Sequence, residues 1–404
     1  MTMRLVLLVV LFVSFQTSIE AKIHFKECEF ASYQLPDYLR PISYDLNLLL
    51  LTGEQEWFPG EVSIEVYVQK SSPKYYIFTK CLPPPKDRGQ DFQMKHIVMH
   101  ADPSIRINEV TFTDLGKMSS RTTRREKIVT IIDYERDSSK QLIAFKLADR
   151  LKAGNRGRIS IRYDAPRHEN RAYGIYRSQY QWDQKFGRSE AYVIGTFEPT
   201  GARLAFPCFD EPHLRAKFRI AITHLPEDQA LSSLPFMSST QDGVLIKQQS
   251  GQSLDAIPLH KLAFVVGKLV RLNLEGEFGS DESVSSNIQL GVGIWAHPDL
   301  VKYGEYARDV VSESMLFIEE DLRIDDPVDL EIVAVPEHHN ELMSGFGLSL
   351  VRHDLLLHDP DNDDPGKKEE ITKRLTKLVA KYYFGSRVSP RSWRDLWLVE
   401  SMAA

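Results

Sequence analysis

A chain of 404 residues with 42% hydrophobic and 26% charged residues has enough apolar content for a buried core and enough length for about two or three domains. This composition excludes a disordered chain. The formal net charge of −6 excludes a general electrostatic pull toward nucleic acid, so no nucleic-acid partner is expected.

Met1-Thr-Met-Arg4 is a short basic lead, and Leu5 to Phe15 is an almost wholly apolar run of eleven residues. Small and polar residues follow to Ala21. The run is too short to cross a bilayer comfortably and has the length of a signal-peptide core. The reading is therefore a signal peptide over residues 1–21 and a secreted or lumenal mature chain. Ile19 stands where cleavage prefers a small residue, so an uncleaved signal anchor is the alternative. The cysteines are Cys28, Cys81 and Cys208. An oxidising compartment allows Cys28 to pair with Cys81 and leaves Cys208, in its Phe-Pro-Cys-Phe setting, as a buried structural thiol. The odd count fixes no connectivity. The sequence has no Asn-X-Ser/Thr acceptor, so N-glycosylation is not expected.

From Leu35 to about Val266 the pattern is one of strands. Gly60-Glu-Val-Ser-Ile-Glu-Val-Tyr-Val and Arg158-Ile-Ser-Ile-Arg-Tyr alternate with period two, and Ser43-Tyr-Asp-Leu-Asn-Leu-Leu-Leu alternates imperfectly. Lys127-Ile-Val-Thr-Ile-Ile and Gln141-Leu-Ile-Ala-Phe-Lys-Leu are apolar enough for buried strands, and Lys217-Phe-Arg-Ile-Ala-Ile and Leu262-Ala-Phe-Val-Val-Gly continue the series. Between two of them, Arg121-Thr-Thr-Arg-Arg-Glu-Lys reads as a solvated loop or hairpin tip. Many short strands with turn-rich connections predict a large antiparallel β domain.

Past Val270 the period changes. Gln289-Leu-Gly-Val-Gly-Ile-Trp and Leu330-Glu-Ile-Val-Ala-Val are strand-like. Lys302 to Leu322 reads as one helix, with apolar positions at Tyr306, Val310, Val311, Met315, Leu316 and Ile318. Asp359-Pro-Asp-Asn-Asp-Asp-Pro-Gly lacks the spaced ligands and closing Glu of an EF-hand and reads as a solvated loop. Glu369 to Phe384 reads as an amphipathic helix carrying Ile371, Leu375, Leu378, Val379 and Tyr382. Lys377 and Lys381 are four apart on it and share a face. Two histidines at that spacing, with a glutamate after the first, would clamp zinc and activate water. Here the trio is Lys377, Leu378 and Lys381, and a carboxylate, Glu400, follows after 18 intervening residues.

The stretch Gly195-Thr-Phe-Glu-Pro-Thr-Gly-Ala-Arg-Leu-Ala-Phe-Pro-Cys-Phe-Asp-Glu-Pro-His-Leu-Arg-Ala-Lys-Phe closely resembles the signature of the M1 family of zinc aminopeptidases, in its N-terminal β-saddle domain. Other family-like pieces occur in order: Leu35-Pro-Asp-Tyr-Leu-Arg-Pro-Ile-Ser-Tyr-Asp-Leu, Phe58-Pro-Gly, Gly174-Ile-Tyr-Arg-Ser-Gln-Tyr, Pro258-Leu-His-Lys-Leu-Ala-Phe-Val-Val-Gly, Val333-Ala-Val-Pro, Tyr383-Phe-Gly and Trp393-Arg-Asp-Leu-Trp-Leu-Val-Glu400. The resemblance covers essentially everything after residue 21. It implies a saddle domain over 22–268 and part of a thermolysin-like α/β domain over 269–404.

Its functional residues carry over one by one. The family's zinc motif falls on Lys377, Leu378, Lys381 and Glu400, and only Glu400 keeps the family's residue. Ammonium groups have no lone pair for a metal, and a leucine cannot take a proton from water. Zinc, the family cofactor, is therefore not expected. The family's cleft motif, Gly-Ala-Met-Glu-Asn, falls on Glu341-Leu-Met-Ser-Gly345. Met343 fits, while Ser344 replaces the Glu that holds the substrate amine and Gly345 replaces the Asn. Thr196 replaces a helping Gln, and Glu198 matches a second amine-contacting carboxylate. A lysine is expected beside Glu400, within about 6 Å, where its charge would keep that carboxylate paired. Asp210 and Glu211 belong to the scaffold signature. The adjacent His338 and His339 would point to opposite faces of an extended segment, so a substitute metal site there is not expected.

The resemblance thus implies a catalytically inactive homologue acting by binding peptides or a protein, including association with an active aminopeptidase. The competing readings are a zinc aminopeptidase with an altered metal site and a non-functional truncated product. Family members continue in helices well beyond the position of Ala404, so exposed apolar faces are expected.

Overall fold

Alternating residues build the largest sheet of the computed structural model, which describes residues 25–27, 33–69, 95–117, 126–168, 173–183, 188–272, 291–324, 329–336 and 341–404. Val62, Ile64, Val66 and Val68 of strand Trp57–Val68 face inward, and so do Ile159, Ile161 and Tyr163 of the neighbouring strand Asn155–Pro166. The sheet runs Phe236–Asp242, Leu245–Ser250, Lys217–His224, Leu39–Leu49, Trp57–Val68, Asn155–Pro166, Arg106–Lys117, Lys127–Val129. Its pairs are antiparallel except Lys217–His224 with Leu39–Leu49, which are parallel. A second sheet holds Phe25–Glu27, Ile131–Asp137, Leu142–Leu147 and His96–His100, and a third holds Gly174–Asp183, Arg188–Thr196, Ala263–Gly267 and Gln229–Ser232. One core of buried side chains spans the three.

The fourth sheet is mixed. Val292–Ala296, Leu330–Val335 and Leu348–Arg352 run parallel, flanked by the short antiparallel strands Val270–Arg271 and Leu342–Met343. Parallel strands need helical crossovers, and helix α2 (Glu305–Leu322) supplies one between the first two. Helix α3 (Gly366–Lys381) packs beside it, with Tyr306 Oη 2.7 Å from Thr372 Oγ1. Their buried faces, Val310, Val311 and Met315 on one and Ile371, Leu375, Leu378 and Val379 on the other, share a core with Ile294 and Ile332. Two short helices complete the order, α1 (Ala202–Ala205) and α4 (Leu396–Met402). This is the expected architecture, a large antiparallel β region followed by a partial α/β region.

Several local expectations change. Lys127–Ile132 is two strands in different sheets, because Thr130 takes the chain from one sheet to the other. Leu316 is 51% exposed, since it lies 100° around α2 from Met315 and past the buried stripe. The α3 helix ends at Lys381, and Tyr382–Arg387 continue as a wider π turn. The signal peptide, Cys28, Cys81, His338 and His339, and the basic cluster apart from Glu126 and Lys127, lie outside the described residues.

Candidate functional site

Five chain segments meet where the β region abuts the C-terminal helices. Strand Arg188–Thr196 ends in the Phe197-Glu198 corner. The one-turn 3-10 helix Leu259–Lys261 leads into strand Ala263–Gly267, which pairs beside it. Strand Leu342–Met343 turns back through Ser344-Gly345 toward Leu348–Arg352. Finally α3 brings Lys377 and Lys381, and α4 brings Glu400.

The lysine side chains converge on two carboxylates. Lys381 Nζ lies 2.5 Å from Glu400 Oε1, with only 11% of its side chain exposed. Lys377 Nζ is 3.9 Å from Glu400 Oε2 and is 37% exposed, so it adds attraction without a hydrogen bond. The other carboxylate, Glu198, is met by Lys261, a residue the motif comparison leaves unassigned. Lys261 Nζ donates to Glu198 Oε2 at 2.8 Å and to the Ser344 carbonyl at 3.2 Å. Lys261 is 1% exposed. A signal for it exists in the sequence, a single charged residue entering the apolar run Leu262-Ala-Phe-Val-Val. Such a residue either leaves the core or brings a partner.

Electrostatics follow the packing. Burial on its own raises the Glu198 carboxyl, but Lys261, Lys381 and His260 outweigh it and bring it down to about 2. Burial, then the Lys261 charge, lowers the neighbouring His260 imidazole to about 3. His260 packs edge-on to Trp393, ring centres 4.9 Å apart. At neutral pH the site therefore holds three ammonium groups, two carboxylates and a neutral imidazole.

The remaining sequence-assigned positions divide. The Ser344 carbonyl accepts from the Lys261 ammonium, and Gly345 lies against the Lys261 carbonyl. Ser344 Oγ is buried and has no hydrogen-bond partner among the described residues. A Cβ on Gly345 would fall 2.2 Å from the Leu348 carbonyl oxygen, so only glycine fits this turn. Met343, 4% exposed, packs with Val333, Leu348 and Leu350, and Thr196 is 2% exposed at a strand end. Neither offers accessible surface. Leu378 is fully buried in the helical core. Arg374, on the same helix, pairs with Glu341 at 2.6 Å. Asp210 is structural: Arg203 Nε donates to its carboxylate at 2.8 Å, and Trp393 Nε1 donates to its carbonyl at 3.2 Å. Glu211 accepts from the Leu35 amide at 3.4 Å.

Zinc needs neutral imidazole, thiolate or carboxylate donors. Positions 377, 381 and 400 offer two ammonium groups and one carboxylate, and that donor set does not fit the metal. Among the described residues no cluster of three or more His, Cys, Asp or Glu side chains could hold a metal ion. No helix among them is long and apolar enough to cross a membrane.

Two family models match the sequence, the peptidase M1 N-terminal domain over residues 90–250 and the peptidase family M1 domain over residues 306–404. Endoplasmic reticulum aminopeptidase 1 of Rattus norvegicus is 27% identical over 377 residues, covering 92% of this chain and 35% of the relative. Aminopeptidase 2 of Candida albicans is 29% identical over 279 residues, 68% of this chain and 28% of its own length. Aminopeptidase Q of Felis catus is 28% identical over 273 residues, 65% of this chain and 26% of the relative. The chain thus spans about a third or less of the length of these relatives.

Proposed function

Because the chain belongs to peptidase family M1, we propose that it is a catalytically inactive member of that family that works by binding a peptide or a protein. The observation that supports this is the Lys381–Glu400 contact of 2.5 Å, with Lys377 at 3.9 Å. Where the family motif places two metal-binding imidazoles, this chain places ammonium groups held to the retained carboxylate. The base position, Leu378, is sealed in the core. Hydrolysis would need a metal-activated water and a group to deprotonate it, and these positions supply neither.

On this reading the partner is a peptide, or a protein such as an active aminopeptidase, and the mature chain works in a secretory or extracellular compartment. The apolar run Leu5 to Phe15 supports the compartment.

The test is metal analysis of the purified protein together with an aminoacyl-arylamide assay. The expected result is less than stoichiometric zinc and no chelator-sensitive turnover. Stoichiometric zinc with turnover abolished by chelator overturns the proposal.

A further inference from the structure

We propose that Lys261 is a tethered ammonium that occupies the Glu198 carboxylate permanently, so that this site is closed to ligands presenting a free amine. The inference rests on the binding reading above only for the premise that the site faces a ligand, and it holds whether or not metal is bound.

Lys261 is anchored at both ends to the same turn. Its carbonyl accepts the Phe346 amide at 2.8 Å, and its ammonium donates to the Ser344 carbonyl at 3.2 Å. Its own amide donates to the Pro258 carbonyl at 3.0 Å, which fixes the start of the side chain. The Tyr382–Arg387 turn lies against the far end: a Cβ on Gly385 would come within 2.9 Å of Lys261 Nζ. With 1% of the residue exposed, the side chain cannot swing into solvent unless one of these turns moves. An ordinary lysine on a cleft wall would exchange readily with an incoming amine, whereas this one is built into the wall.

Charge counting points the same way. Glu198 feels both Lys261 and Lys381, and Glu400 is shared by Lys381 and Lys377. Three ammonium groups against two carboxylates leave the site one positive charge in excess. A ligand amine, itself cationic, would have to displace a buried lysine or add a fourth cation beside three. Displacing Lys261 is unfavourable because it and Glu198 are nearly buried, while the excess charge of the partly solvated Lys377, Lys381 and Glu400 end adds a smaller opposition. A neutral or anionic ligand end meets no such opposition.

The experiment compares leucine amide with its des-amino analogue, 4-methylpentanamide, by ligand-observed NMR titration of the full chain. For the native protein the two should bind within about threefold of each other, or both fail to bind. Lys261→Ala removes the ammonium and opens a cavity ending on Glu198. It should bind leucine amide at least tenfold more tightly than the analogue, and n-propylammonium should raise its melting temperature where n-propanol does not. The double variant Lys261→Met with Glu198→Gln removes both charges at nearly constant volume and should show no amine preference. If Lys261→Ala does not fold alone, its refolding yield in n-propylammonium against n-propanol reads the same cavity. A native protein that prefers leucine amide tenfold overturns the proposal. So does a Lys261→Ala protein indifferent to amine in both measurements. Zinc content and arylamide turnover, which decide the proposed function, enter neither result.

Discussion

Replacing Lys377 and Lys381 together by histidine should convert this protein into a zinc binder without making it a peptidase. The two positions are one helical turn apart on α3, which puts their Cβ atoms about 5–6 Å from each other. The Glu400 oxygens already lie 2.5 Å from one ammonium nitrogen and 3.9 Å from the other. Histidines there would present their imidazoles on the helix face that meets Glu400, where zinc requires each donor about 2 Å from one point. The cost to the metal-free protein is small, because the Glu400 pair is partly solvated and such pairs contribute at most about 1 kcal/mol. With zinc held at about 100 times its dissociation constant, linkage predicts about 2.7 kcal/mol of stabilisation. At about 2–4 °C per kcal/mol this is a rise in melting temperature of roughly 5–10 °C, reversed by chelator. Thermal denaturation with and without zinc, with metal content by mass spectrometry, reads both effects. Arylamide turnover should stay absent, because Leu378 remains at the base position. A double variant with native circular dichroism that takes up no zinc would falsify the premise that these three side chains converge on one point.

Three further outcomes follow from burial and charge. Lys261→Ala should destabilise by about 3–5 kcal/mol because it strands a buried carboxylate, whereas Lys381→Ala should lose no more than about 1 kcal/mol, and urea denaturation distinguishes them. Arg203→Ala should also lose about 3–5 kcal/mol by the same measure, since Arg203 is 7% and Asp210 1% exposed and their contact is 2.8 Å. The third concerns acid. The His260 imidazole titrates near 3 in the folded protein and near 6.5 when unfolded, so below pH 6.5 the unfolded chain binds the extra proton. Stability is then lost as pH falls from 6.5 toward 3, by about 1.4 kcal/mol per pH unit for one proton. Glu211 has the opposite sign, because burial raises it to about 7, and its contribution falls as pH rises from 4.5 to 7. The comparison that isolates His260 is therefore between native protein and His260→Gln. Between pH 4.5 and 6.5 the slope of stability against pH should be lower in the variant than in the native protein by about 1.4 kcal/mol per unit, and parallel curves refute the assignment.

The strands were legible because burial on one face imposes a period of two on the side chains. Leu330–Val335 matches its predicted run to the residue, since a parallel strand covered on both faces is apolar at all but its Glu331 position, which pairs with Arg271. Where the expectation slipped, a local pattern had two structural solutions. Lys127–Ile132 is apolar enough for a single strand, but its first half pairs back with Arg106–Lys117 and its second half pairs forward with Leu142–Leu147, and nothing within the run marks the switch of sheet at Thr130. The site was legible at Lys377, Lys381 and Glu400, where helical spacing and a motif register carry the information. Lys261 was not read, because its role depends on several segments meeting. Its nearest partners, Glu198 and Ser344, are 63 and 83 residues away. Only its place beside an apolar run hinted that it was buried.

On the proposed reading, the lysines also account for why the scaffold around them could stay as it is. A zinc ion with two neutral imidazoles brings a charge of +2 to a retained glutamate, and two lysines bring the same +2. The exchange removes the metal's chemistry while leaving the electrostatic demand on Glu400 unchanged, so that carboxylate keeps a partner and α4 keeps its tie to α3. Replacing the imidazoles with apolar residues would instead have left Glu400 without a counter-charge. Glu198 follows the same rule by another route. Of the metal-motif positions Lys381 acts on it only through its charge, and its direct ion pair is with Lys261 from the wall of the site. Both carboxylates that the resemblance links to catalysis are therefore held by the protein's own ammonium groups. On the same reading, restoring the metal ligands alone would not bring activity, because Lys261 would still sit on Glu198 and Leu378 would still fill the base position.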